Sequence, residues 1–167
     1  MSFSRRAALA ALGALALTAC ASSTPPVEST IYLVRHAEKD AGPDPSLTLI
    51  GRQRADILAQ DLADAGLTAI WSTDYKRTRE TAQPSSTMTG LPTQIYDANR
   101  LEQFAKQLKS TSGNVLVVGH SNTTPELVKL LGGKPGAPIN EATEYDRLYV
   151  VHIRGGRVTS EIRRYGR

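Results

Sequence analysis

From residue 30 onward the chain alternates short apolar runs with longer amphipathic stretches, each ended by glycine, proline or a charged residue. The first run, Ile31-Tyr32-Leu33-Val34, has no polar position on either face. It reads as a strand over 30–35, buried on both sides at the centre of a parallel sheet. It stops in Arg35-His36 with no turn residue between. Residues 40–46, with Gly42, Pro43 and Pro45, form a loop. Thr48 then suits the N-cap of a helix reaching about residue 65, with Ile57, Leu58 and Leu62 at helical spacing and Gly66 at its end. A second strand spans 67–71, and a helix weakened at Pro84 begins near Tyr75. A third strand over 93–96 precedes a helix over 100–109. The run over 114–118 is another buried strand, closing at Gly119-His120. A helix over 123–131 is stopped by Gly132-Gly133. Two last strands, 147–153 and 158–163, form an antiparallel hairpin about Gly155-Gly156.

Strands alternating with helices specify an α/β fold, a three-layer α/β/α sandwich with a mostly parallel central sheet. Parallel strands joined by right-handed crossovers have their carboxyl ends on one side, where open α/β sheets bind ligands. His36 leaves the end of the first strand and His120 the end of the 114–118 strand. Arg77 lies in the first turn of the helix after the second. Two imidazoles and two guanidiniums, Arg35 included, therefore converge on one cleft. Guanidiniums suit phosphate or carboxylate, and a neutral imidazole is a nucleophile or base. The combination points to phosphoryl chemistry.

The two ends of the chain alter this picture little. Arg5 and Arg6 precede a small apolar run over 7–19, the length of a signal segment and too short to span a bilayer. That run ends in Leu17-Thr18-Ala19-Cys20, which resembles a bacterial lipobox, with Cys20 as the lipidation site. The alternative is an ordinary secretory signal in which Cys20 has no role. Ser4-Arg5-Arg6 also resembles a twin-arginine signal, although Ala8 replaces the expected bulky residue. Cys20 is the only cysteine, so a mature domain has no disulfide to rely on. Residues 20–29, rich in Ser, Thr and Pro, read as a tether and 30–167 as one domain. Without Arg5 and Arg6 the net charge of +4 falls to +2, which gives no case for nucleic-acid binding. Arg154, Arg157, Arg163, Arg164 and Arg167 read as the solvated face of the late strands. His152 reads as structural, and no local metal-ligand motif joins the histidines.

The quoted segments also carry a family resemblance. Leu33-Val34-Arg35-His36-Ala37-Glu38 resembles the signature of the histidine phosphatase superfamily, the phosphoglycerate mutase-like proteins. Leu47-Thr48-x-x-Gly51 resembles its first-helix motif, and residues 72–82 its second phosphate-binding segment. Val117-Val118-Gly119-His120 resembles the strand that bears its second histidine. The resemblance implies a phosphohistidine on His36, with Arg35, Arg77 and His120 binding the phosphoryl oxygens and no cofactor or metal required. Glu38 and Asn122 join the substrate-binding set. Glu102 is the nearest match to the family's general acid, with Glu126 and Glu144 as further candidates. The family's usual acidic-glycine segment is missing here. The short stretch between Asp97 and Asn114 leaves no room for a mutase-type lid, so hydrolysis is expected over transfer. The expectation is a periplasmic, lipid-anchored phosphomonoesterase acting on a small phosphorylated substrate, touching the membrane only through its N-terminal lipid. Ala21 after Cys20 suggests the outer membrane. The alternatives are a phosphohistidine or phosphoramidate protein phosphatase and a non-catalytic phosphate-binding lipoprotein.

Overall fold

Strand β1 (Glu28–Arg35) runs through the middle of the sheet because both of its faces are apolar. It pairs in parallel with β4 (Gly113–Gly119) on one side and antiparallel with β5 (Arg147–Arg154) on the other. The remaining strands are β2 (Leu67–Ser72), β3 (Thr93–Ile95) and β6 (Arg157–Arg164), giving the order β3-β2-β4-β1-β5-β6. The computed structural model describes residues 28–166; the signal-like segment, Cys20, residues 20–27 of the tether and Arg167 lie outside the described residues. Glu28 and Ser29, read as tether, already pair with Arg154 and Ile153. The expected α/β/α sandwich is thus present, as a mixed sheet of four parallel strands extended by an antiparallel hairpin.

The period-two alternation sorts the core into two layers. Ile31 and Leu33 face the side covered by α3 (Leu101–Ser110) and α4 (Thr123–Leu131), packing with Phe104, Leu108, Leu127 and Val128. Val34, with Leu116 and Val118, faces the opposite side, covered by α1 (Leu49–Asp61) and α2 (Lys76–Thr89) through Leu58 and Ala82. Each fully buried Leu or Ile contributes about 1.5–3 kcal/mol, so this sorting fixes the register of the sheet. It also fixes the direction of the connections. The chain leaving β1 turns to the α1 face, while the chain leaving the adjacent β4 turns to the α4 face. A crevice opens where neighbouring connections diverge, between the carboxyl ends of β1 and β4.

Several local readings change. Helix α1 ends at Asp61, and Gly66 with φ 60° closes a separate 3-10 turn over Ala63–Ala65. Ile57 is exposed; the buried stripe is Gly51, Ala55, Leu58 and Ala59, completed by Leu62. Thr48 caps the helix as expected, accepting from the Gly51 N–H at 3.0 Å. Helix α2 runs through Pro84 without a break and ends at Gly90 in the left-handed region. Burial of Thr78, Thr81, Ala82 and Ser85 along one face outweighs the single hydrogen bond that the proline removes. Of the late arginines, Arg164 is not merely solvated: it binds Glu144 at 2.7 Å and Asp146 at 2.6 Å. His152 takes a structural place, its Nδ1 3.1 Å from Thr30 Oγ1 across the β1–β5 pairing.

Candidate active site

His36 is placed by hydrogen bonds on three sides. Its backbone N–H donates to the Gly119 carbonyl at 2.9 Å, extending the β1–β4 ladder by one residue. The next N–H, of Ala37, donates to Thr81 Oγ1 at 3.0 Å, and that hydroxyl donates to the Arg77 carbonyl at 2.7 Å. The end of β1 and the first turn of α2 are thereby locked together. The ring itself lies 2.8 Å from the Ala37 carbonyl through Nδ1. A carbonyl can only accept, so Nδ1 carries the hydrogen and Nε2 keeps a free lone pair.

Gly51 explains its place in the first-helix motif. A side chain there would overlap the Glu38 carbonyl oxygen, which also accepts the Thr48 N–H at 3.0 Å. Only glycine lets α1 approach the backbone just after His36.

His120 is held in the complementary state. Its Nε2 lies 3.0 Å from Thr73 Oγ1, which donates to Thr78 Oγ1, and that hydroxyl ends on the Thr73 and Tyr75 carbonyls. Its Nδ1 lies 3.5 Å from Arg77 Nη2, which can only donate. The relay therefore places the His120 hydrogen on Nε2. The two imidazole rings meet edge to face, 5.5 Å apart.

The arginines differ in what holds them. Arg54, Arg147, Arg163 and Arg164 each grip a carboxylate, as does Arg79 with Asp74. Arg35 and Arg77 instead lie on aromatic rings, 4.2 Å from the Tyr145 centroid and 4.4 Å from that of Tyr75. Arg35, only 3% exposed, donates to the Glu144 carbonyl at 3.1 Å, and Arg77 has a loose 3.8 Å ion pair with Asp44. Most donors of both forks are uncommitted, including a buried Nε on each. A buried donor without a partner costs about 1–3 kcal/mol, which an anion with several oxygens recovers.

This positive field acts on the histidines. Burial, reinforced by Arg35, His120 and Arg77, lowers the His36 pKa to about 3, against the opposing pull of the Ala37 carbonyl. Burial, with Arg77 and Arg35, lowers that of His120 to about 4. Both rings are neutral at neutral pH, as a nucleophile requires. In the unfolded chain each would bind its proton near 6.5. Between the two values the unfolded chain holds more protons, so stability is full above about pH 6.5 and falls as pH drops toward 3. Thermal melting of the domain should decline over that window, and His36→Asn should flatten the decline. An equal slope in that variant would remove His36 from this account.

The cleft, about 470 Å³, is lined by His36, Lys39, Tyr75, Arg77, His120, Ser121, Asn122 and Glu141, among others. Asn122 caps α4, its Oδ1 accepting the Thr123 N–H at 2.9 Å. The four acidic candidates named from the sequence lie elsewhere. Glu38 is gripped by Arg54, with Nε 2.9 Å from both carboxylate oxygens, so it braces α1 instead of facing a ligand. Glu102 sits in a neighbouring surface cleft with Lys106 and Glu126. Glu144 is partly buried, which raises its proton affinity, yet hydrogen bonds from Asn140, Arg147 and Arg164 hold its carboxyl below the usual range. Thr73, Tyr75 and Thr81 fall inside the quoted 72–82 segment, so their participation was signalled there. Tyr145 and Glu141 come from a loop with no motif.

Residues 31–98 match the family model of the histidine phosphatase superfamily, branch 1. No curated protein matches the chain in sequence. Solved structures share its fold. The mycobacterial glucosyl-3-phosphoglycerate phosphatase is 14% identical, covering 83% of this chain and 98% of its own, with a TM-score of 0.63. The protein histidine phosphatase SixA, complexed with tungstate, is 17% identical over 79% and 94%, with a TM-score of 0.64. The phosphoglycerate mutase of Bacillus anthracis is 16% identical over 81% and 92%, with a TM-score of 0.62. The matched residues include the end of β1 and the start of α2, and the remaining strands complete the sheet that these solved structures share.

Proposed function

We propose that the protein hydrolyses phosphate monoesters, without a metal, through a phosphohistidine on His36. The observation that carries this reading is the His36 ring, whose Nδ1–H is spent on the Ala37 carbonyl so that Nε2 keeps a free lone pair. Attack by Nε2 on phosphorus expels the ester oxygen, and water then attacks the phosphohistidine to return the imidazole and release phosphate. Arg35 and Arg77 hold the equatorial oxygens with fork-shaped, charge-assisted bonds, and a bound dianion favours a second proton on His120 at the Nδ1 side. Charge neutralisation that Mg²⁺ supplies in other phosphoryl-transfer enzymes falls here to these side chains. Helix α3 follows β3 after five residues (Tyr96–Arg100), leaving no room for an inserted lid in that connection. An unlidded intermediate is open to water, which supports hydrolysis over transfer.

A second reading, phosphohistidine or another phosphoramidate as substrate, is favoured by the position of Glu102 outside the cleft, because an amine leaving group does not depend on a carboxylic acid. Purified 28–167 protein in chelator should turn over an alkyl phosphate in preference to a phosphohistidine peptide. The reverse preference would select the second reading, and saturable phosphate binding with no turnover of either would sink both. The envelope location rests on the sequence at 17–20 and is part of the proposal: Cys20→Ser should move the full chain from the membrane pellet to the soluble fraction. Unchanged pelleting would reject the lipid anchor.

A further inference from the structure

Phosphate esters of ordinary alcohols need a proton on the leaving oxygen, and the carboxylates around the cleft are mostly committed elsewhere. Glu38 belongs to Arg54 and Glu144 to Arg147 and Arg164. Asp44 accepts the Lys76 N–H at 3.0 Å and faces Arg77 at 3.8 Å. Among the described residues, Glu141 is the one carboxyl that lines the cleft, beside His36, His120 and Lys39. Its Oε1 accepts a hydrogen bond from Ser121 Oγ at 3.1 Å, and Ser121 directly follows His120. The side chain is exposed as well as lining the cleft, so a group leaving toward solvent can reach it.

The loop carrying Glu141 is organised by its own backbone. Asn140 Oδ1 accepts the Ala142 N–H at 3.0 Å, the Asn140 N–H donates to Glu144 Oε2 at 3.0 Å, and the Glu144 N–H donates to the Asn140 carbonyl at 2.9 Å. The Arg147–Glu144 pair, 2.6 Å apart and nearly buried, ties that turn to the sheet. Unlike Glu38 and Glu144, which are locked in ion pairs, this carboxyl is held by a neutral hydroxyl on a braced loop.

We propose that Glu141 is the proton-transfer residue of this site, which makes alcohol phosphates its substrate class. The inference rests on the phosphohistidine reading above. As Nε2 of His36 bonds to phosphorus, the P–O ester bond breaks with its electron pair on the leaving oxygen. That oxygen takes the Glu141 proton and leaves as the alcohol. Water then bonds to phosphorus, the P–N pair returns to Nε2, and the Glu141 carboxylate takes the proton lost by water.

The test compares kcat/KM, which reports steps only through phosphorylation, for an alkyl phosphate and 4-nitrophenyl phosphate. A nitrophenolate leaves without help, and general-acid catalysis typically contributes about 10²–10⁴-fold where help is needed. Glu141→Gln should lose about 100-fold or more on the alkyl ester and less than about threefold on the nitrophenyl ester. Ser121→Ala, which frees the carboxyl without removing it, should show the same pattern at smaller size. Equal losses on both esters in these variants, or no loss on either, would overturn the proposal. Turnover that survives His36→Ala would instead overturn the phosphohistidine reading beneath it.

Discussion

His36→Ala should reduce turnover of an aryl phosphate by about 10⁴-fold or more, the scale seen when a covalent nucleophile is removed from a preorganised site. The rest of the cleft survives the substitution. Arg35 remains on Tyr145 and bonded to the Glu144 carbonyl, and Arg77 remains between Tyr75 and His120. Binding of an oxyanion inhibitor should therefore persist while chemistry stops. Acid-labile phosphate, trapped on the parent protein by rapid quenching, should be missing from the variant. His120 is the only other imidazole in the cleft, and the relay through Thr73 and Thr78 places its hydrogen on Nε2. Its remaining nitrogen faces Arg77, which makes it a poor substitute nucleophile. Labelled phosphate on the His36→Ala protein would mean that the two histidine roles are exchanged.

Arg35→Lys should cost about 10²–10³-fold in kcat/KM, nearly as much as Arg35→Ala, although charge is retained. The guanidinium is 3% exposed and does two things that an ammonium cannot. It lies over the Tyr145 ring, 4.2 Å from the centroid, and it keeps one arm on the Glu144 carbonyl while its buried Nε stays uncommitted. A lysine offers a single strongly hydrated point charge, and burying it without a carboxylate partner is costly. Oxyanion inhibition should weaken in parallel with kcat/KM, because the same donors meet the ground-state anion. Full activity in Arg35→Lys would show that charge alone, and no fork geometry, is needed at the end of β1.

The placement of Arg35 and His36 at the end of β1 was legible in the sequence because it depends on local rules. An apolar run with no polar face must be buried on both sides, and Arg35-His36 then has to emerge at the sheet's carboxyl edge. The same logic placed Gly119-His120 and the first turn of α2. Thr48 and Gly51 were legible too, one as a helix cap and one as a motif residue whose reason is the Glu38 carbonyl. Helix limits were less so. Propensity alone stretched α1 to residue 65 and weakened α2 at Pro84, whereas packing against the sheet and between the two helices decided both.

The acidic residues were the least legible part. Glu38, Glu102, Glu126, Glu141 and Glu144 are alike in sequence, and what separates them is which cation each can reach. Arg54 comes from α1, and Arg147 and Arg164 come from the C-terminal hairpin; these claim Glu38 and Glu144. The strand order carries Glu102 and Glu126 to a different cleft. By itself the sequence determined the sheet, its buried faces and the four basic side chains at its edge, because hydrophobic period and strand ends are properties of short segments. Only the tertiary structure decided which carboxyls are spent on ion pairs and which faces the cleft, because those pairings join residues from separate elements of the chain.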